Sequence, residues 1–150
     1  MDLIDKQLLK LLQKNSDLPL SEISRRIGIS STPCWNRIKK LEEKGIIKYK
    51  ITVLDKLKAG FPVTVFLSIS VSNHNENWYT KFQEAVIRHE QILEVHRLTG
   101  SSADYLLKII AKSIEDYDIF QQQLISEIQF TSMSSSISLK EIKYSHAIPI

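Results

Sequence analysis

The sequence predicts a two-part α+β protein: three short helices, then a βαββαβ unit. Three observations carry this. Residues 18–45 read as two helices around a tight turn, residues 63–71 alternate as a strand, and the charge changes sign near residue 60. Residues 1–60 hold 13 Lys+Arg against 7 Asp+Glu, a balance of +6, and residues 61–150 hold 7 against 10, a balance of −3, in agreement with the net +3 of the chain. A basic first half on a mildly acidic second half suggests that only the first meets a polyanion. The expected boundary therefore lies near residue 60, with one domain over 1–60 and another over 61–150.

A chain of 150 residues has room for two small domains, and 43% hydrophobic with 25% charged residues is a folded composition. No apolar run approaches the roughly 20 residues needed to cross a bilayer. Met1 to Asp5 is acidic and lacks a signal-peptide layout. Cys34 is the single cysteine, so no disulfide framework exists and a reducing cytoplasm is expected.

Asp2 with Asp5 forms a carboxylate version of the capping box and starts the first helix. Ile4, Leu8, Leu11 and Leu12 form its apolar stripe. Asn15-Ser16-Asp17 is a loop, and Pro19 is placed more easily as the first helical residue than as the N-cap. Leu20, Ile23 and Ile27 give the second helix one apolar stripe, and Gly28 ends it without a Cβ penalty. Ser24 is small enough to let the next helix approach closely. Ser30 is the expected N-cap of that next helix, its hydroxyl accepting an orphan N–H; Pro33 falls in the first turn, and Gly45 closes the helix.

At about 100° per residue, Cys34, Ile38 and Leu41 share the inner side of this third helix. Thr32, Asn36, Lys39 and Glu43 point outward, with Lys40 close by and Trp35 and Arg37 on the flanks. That outer composition suits reading of the major groove of DNA. A solvated charged face is the plainer alternative for a lone basic helix. The cap, turn glycine, small residue and basic face together favour duplex DNA. Thr32, Asn36 and Trp35 are the candidates for base edges, Arg25, Arg26, Arg37, Lys39 and Lys40 mostly for phosphates, and Ser31 is a further DNA-binding candidate. Beyond Gly45, alternation of Ile47, Tyr49, Ile51 and Val53 with Lys48, Lys50 and Thr52 predicts an exit strand, followed by a linker from Leu54 to Gly60.

In the second half Val63, Val65, Leu67, Ile69 and Val71 alternate with Thr64, Phe66, Ser68 and Ser70. Trp78, Phe82, Ala85, Val86 and His89 follow at helical spacing. Ile92 to Leu98 and Tyr105 to Ala111 read as strands, and Ser113 with Asp116 caps a helix striped by Tyr117, Phe120, Leu124 and Ile128. A last strand is predicted from Met133 to Tyr144, with Ile137 and Leu139 facing inward. The expected sheet is antiparallel and four-stranded, with both helices on one face and its first and last strands adjacent. Ser68 and Ser70 beside Ser134, Ser136 and Ser138 on the open face suit a second sheet, hence a symmetric homodimer.

These residues together resemble the Lrp/AsnC family of transcription regulators. The resemblance rests on Asp2-Leu3-Ile4-Asp5-Lys6-Gln7-Leu8-Leu9, the run from Thr32-Pro33-Cys34-Trp35 through Arg37, Leu41-Glu42 and Gly45-Ile46-Ile47, the stretch Asp104-Tyr105-Leu106-Leu107-Lys108, and the ending Ala147-Ile148-Pro149-Ile150. It implies a helix-turn-helix followed by a ferredoxin-like effector-binding domain, in dimers that often assemble into tetramers or octamers. It also implies an amino-acid effector held by a loop whose family pattern, Gly-x-x-Asp, stands here one residue longer as Gly100, Ser101, Ser102, Ala103 and Asp104. The extra residue displaces the loop's groups by up to roughly 3 Å. A second departure is Pro19, where the family usually has a Ser or Thr cap.

No arrangement argues for catalysis, a metal or a cofactor. His74, His89, His96 and His146 lack a second ligand at metal spacing, and the four glycines stand at turns, a cap or a linker rather than in a phosphate loop. Glu115 and Asp116 belong to a helix first turn, where the macrodipole favours them. Two rival readings come from other classes. Haem-biosynthesis decarboxylases of similar architecture carry a His- and aromatic-rich stretch that Glu94 to Gly100 lacks. A ligand-binding oligomer without DNA activity does not explain the cations at residues 37–40. The sequence therefore predicts a non-enzymatic DNA-binding regulator with no membrane partner.

Overall fold

The computed structural model describes the chain from Met1 to Ile150 except Asn73 and Ser101. It divides into two compact units: Met1–Val53 with Ile142–Ile150, and Leu54–Glu141. The first contains α1 (Leu3–Leu12), α2 (Leu20–Ile27) and α3 (Ser31–Glu43). Leu8, Ile23, Cys34 and Ile38 form its buried centre, flanked by Ile4, Leu11 and Leu12 of the α1 stripe.

Local chemistry accounts for the helix ends. Asp2 and Asp5 form the reciprocal box, each side chain accepting the other's backbone N–H. Gly45, at φ 68°, donates to the Glu42 carbonyl while Ile46 donates to that of Leu41, a Schellman closure of α3. Two expectations about caps are corrected. Pro19 is the N-cap of α2, not its first helical residue: its ψ of 145° is extended, and its carbonyl accepts from Glu22 and Ile23. Ser30 is the N-cap of α3, but its hydroxyl makes no capping bond. The third helical residue is Pro33, which has no N–H to offer.

The second unit holds β1 (Val63–Ser70), α4 (Glu76–Arg88), β2 (Ile92–Arg97), β3 (Tyr105–Ala111), α5 (Ile114–Glu127) and β4 (Ser132–Ile137). The sheet order is β2-β3-β1-β4, and every neighbouring pair is antiparallel. Val65, Leu67 and Ile69 of β1 and Leu107 and Ile109 of β3 are fully buried against Phe82 and Ala85 of α4 and Tyr117, Phe120 and Leu124 of α5. Both helices thus cover one face. Ser68 lies opposite Ser134 on the other face, and Phe66 opposite Ser136.

Two strand expectations are also corrected. Residues 47–53 form no strand, and Tyr49, Ile51 and Val53 are exposed. The first unit has no strand to pair with this alternating run. β4 stops at Ile137 instead of reaching Tyr144, leaving Ile137 half-exposed and Leu139 98% exposed. The cause is the length of its partner. Ile137 pairs with Val65, Ser138 donates to the Thr64 carbonyl, and β1 begins at Val63, so little ladder remains. From Ile142 the chain belongs to the first unit, where the Gln13 side chain accepts from the Ile148 N–H at 2.7 Å and donates to its carbonyl at 3.3 Å.

Candidate nucleic-acid interface

Gly28, at φ 77°, ends α2, and its N–H and that of Ile29 both donate to the Ser24 carbonyl. Ser24 is buried where α2 meets α3; its hydroxyl donates to the Ser21 carbonyl at 3.0 Å and lies 3.3 Å from the Ser31 hydroxyl. Cys34, Ile38 and Leu41 of α3 are buried, and burial pushes the Cys34 thiol pKa up. Thr32, Trp35, Asn36, Lys39 and Lys40 are exposed on the rest of the helix surface, and Ser31, also exposed, stands beside the α2 contact. Lys39 sits 5.0 Å from the centroid of the Trp35 ring and 4.0 Å from Glu43. Lys40 has no ion pair among the described residues.

The arginines differ from this pattern. On α2, Glu22 takes both Arg25 at 2.8 Å and Arg26 at 2.6 Å, and its carboxyl is held below its usual range first by Arg26 and then by Arg25. Both guanidiniums stay substantially exposed. Arg37 is paired within the protein: its Nη1 donates to Asp2 Oδ2 at 2.6 Å and Asp5 Oδ1 at 2.8 Å, at the start of α1. Its side chain is only 33% exposed, and these carboxylates raise its already high pKa, Asp2 first. Nothing in the local α3 pattern marks this pairing, since the partners lie 35 and 32 residues away.

In the second unit, Gly100 is exposed at φ 147° and Ser102 is exposed, whereas Ala103 is buried. Ser101 lies outside the described residues. Asp104 is bound into its own backbone surroundings: its Oδ2 accepts from the Val71 N–H at 2.8 Å, its N–H donates to Ile69, and its carbonyl accepts from Leu98. His74 stands 3.6 Å from its Oδ1 and close to the rings of Trp78 and Tyr105. The loop pattern singled out Asp104 but not His74, which comes from a separate connection. Among the described residues, no group of three His, Cys, Asp or Glu side chains is placed to hold a metal, and no helix is long and apolar enough to cross a membrane.

Comparison with known proteins sets these features in context. The Lrp/AsnC ligand-binding domain matches residues 64–148, and a winged helix-turn-helix DNA-binding domain matches residues 1–48. The chain belongs to the Lrp/AsnC family. The Zymomonas mobilis HTH-type transcriptional regulator Zrp is 39% identical over 99% of this chain and 97% of its own. The Escherichia coli DNA-binding transcriptional activator DecR is 33% identical, covering 100% and 99%. An AsnC family transcriptional regulator from Agrobacterium tumefaciens superposes with a TM-score of 0.95 at 36% identity, covering 99% and 97%. A Neisseria meningitidis transcriptional regulator solved with L-Met has a TM-score of 0.94 at 29% identity, covering 99% and 96%. The exposed side of α3 carries Thr32, Trp35, Asn36, Lys39 and Lys40. Arg37 faces α1 instead.

Proposed function

We propose that this Lrp/AsnC regulator reads duplex DNA with α3, Thr32, Trp35 and Asn36 meeting base edges, Arg25, Arg26, Lys39 and Lys40 meeting phosphates, and Ser31 at the edge of the same surface. The observation that carries this reading is the division of α3 into a buried side of Cys34, Ile38 and Leu41 and an exposed side of Thr32, Asn36, Lys39 and Lys40. Phosphate contacts set register, and base contacts carry sequence. The protein acts as a symmetric homodimer through the open sheet face, able to assemble into tetramers or octamers. Such a dimer prefers near-palindromic sites with half-sites about one helical turn apart. It works in the cytoplasm as a binding protein and not as an enzyme.

The effector is an amino acid held near Gly100–Asp104, which acts by binding one arrangement of the oligomer more tightly than another. The Neisseria relative solved with L-Met makes methionine the first ligand to try. Lys40→Ala is expected to weaken binding to all sequences and to lower the slope of log affinity on log salt by about 1. Asn36→Ala is expected to relax preference at one base position, read by sequence selection. An unchanged salt slope together with an unchanged motif overturns this surface. Calorimetry against the twenty amino acids tests the effector, and uniform absence of heat with unchanged oligomer size removes it.

A further inference from the structure

We propose that Arg37 is a positioning residue that sets the reading helix against α1 without touching DNA itself. The inference rests on the DNA-reading role of α3. Its basis is a closed network in which each carboxylate oxygen has a different task. Asp2 Oδ1 accepts the Asp5 N–H at 2.8 Å, and Asp2 Oδ2 accepts Arg37 at 2.6 Å. Asp5 Oδ2 accepts the Asp2 N–H at 3.1 Å, and Asp5 Oδ1 accepts Arg37 at 2.8 Å. An ordinary capping box of Ser and Gln satisfies the same two N–H groups. What the paired aspartates add is one further acceptor each, and both are aimed at Arg37.

Arg37 lies between Asn36, a proposed base reader, and Ile38, which is buried in the three-helix core. Asp2, Asp5, Asn36, Arg37 and Lys40 all line one open cleft of about 650 Å³. The clasp therefore joins the start of α1 to α3 at the turn that carries Asn36 and Lys40. One guanidinium nitrogen, Nη1, spans both carboxylates, and its planar N–H groups fix the direction of each bond. Held this way, α3 has a set rotation about its axis, and sequence discrimination depends on that rotation because base-edge hydrogen bonds tolerate little displacement.

The two roles open to Arg37 give effects of opposite sign. The test uses the full-length protein, with affinities for its selected site and for random-sequence DNA measured across a salt series. The key variant is Asp2→Ser with Asp5→Gln, which keeps an ordinary capping box and removes the clasp. If Arg37 positions α3, this variant loses about two- to fivefold in the ratio of specific to random affinity, the range expected for partly exposed ion pairs. Arg37→Gln loses the same ratio with no change in the salt slope. Combining all three changes is no worse than either variant, because each removes the same interaction. Arg37→Lys recovers part of the ratio.

If Arg37 instead meets a phosphate, removing two nearby carboxylates tightens binding to the selected site at least as much as to random DNA, and Arg37→Gln lowers the slope by about 1. Either of those results, or an unchanged ratio in the Asp2→Ser/Asp5→Gln variant, overturns the proposal. Absence of DNA binding by the unaltered protein overturns the reading role itself and the proposal with it. Should Arg37→Gln not fold, the capped double variant decides alone.

Discussion

Truncating Leu8 to alanine tests how the reading head is held together. Leu8 is fully buried in the first unit, enclosed by Ile23, Cys34 and Ile38. Deleting a leucine side chain from such a site costs about 3 kcal/mol, from lost transfer energy and the residual cavity. A unit of about 60 residues buries little surface for its size, and at typical values per residue its whole stability is about 3–9 kcal/mol. Leu8→Ala is therefore expected to remove between a third and all of it. The chain's two tryptophans make the effect separable: Trp35 lies on α3, and Trp78 on α4 stacks on Phe82 at 4.9 Å and donates to the Gln129 carbonyl. Urea unfolding followed by fluorescence in Trp78→Phe and Trp35→Phe backgrounds reports the first and second unit respectively. With a slope of about 1 kcal/mol per molar urea, the Trp35 midpoint falls by about 3 M, or the unit is unfolded from the start, while the Trp78 midpoint holds. A joint shift of both signals, or a loss under about 1 kcal/mol at Trp35, refutes two independently packed cores.

Three further outcomes follow from the same geometry. Gly45→Ala is expected to cost about 1–2 kcal/mol by the Trp35 signal, because φ is 68° while the space around an added Cβ is open, so the penalty is purely conformational. Ser24→Leu forces α2 and α3 apart at a contact where Ser24 is 6% exposed, at a cost of about 1–3 kcal/mol, and specific DNA binding suffers more than random binding. The Arg88 hydrogen bond first, and His89 second, hold the Glu127 carboxyl below its usual range. Since the folded state lowers this pKa, the contribution is present above the unfolded carboxylate range and lost as pH falls through the folded value. Glu127→Gln is therefore less stable near neutrality, and the difference closes in acid; a gap constant with pH contradicts the assignment.

Where a structural feature depends on residues a few positions apart, the sequence anticipates most of it, the caps at Pro19 and Ser30 excepted. The Asp2–Asp5 box, the Gly28 and Gly45 closures and the Ser113 cap of α5, whose hydroxyl accepts from the Asp116 N–H, are all of this kind. The alternating run of β1 foretells the burial of Val65, Leu67 and Ile69, since neighbours two apart share a face, but not that of Thr64 on the opposite face. The same rule misleads over Ile47–Val53 because alternation records a capacity to pair, and no partner strand is present in that unit. It also overextends β4, whose end is dictated by where β1 begins.

Side-chain roles divide along the same line. The outward direction of Thr32, Asn36, Lys39 and Lys40 is inherent in helix periodicity once Cys34, Ile38 and Leu41 must be inside. Which of the surrounding cations remain available is not inherent in it. Glu22 engages Arg25 and Arg26 within one helix, and Arg37 turns to carboxylates more than thirty residues away. Likewise Asp104 is flagged by its loop, yet its bond to Val71 and the approach of His74 exist only after β1 and β3 lie side by side. Local spacing commits the chain to its helices, caps and inner faces, because those interactions close within a turn or two. Pairing between distant charges and the true ends of strands are set by the folded backbone, which alone brings the two partners within bonding distance.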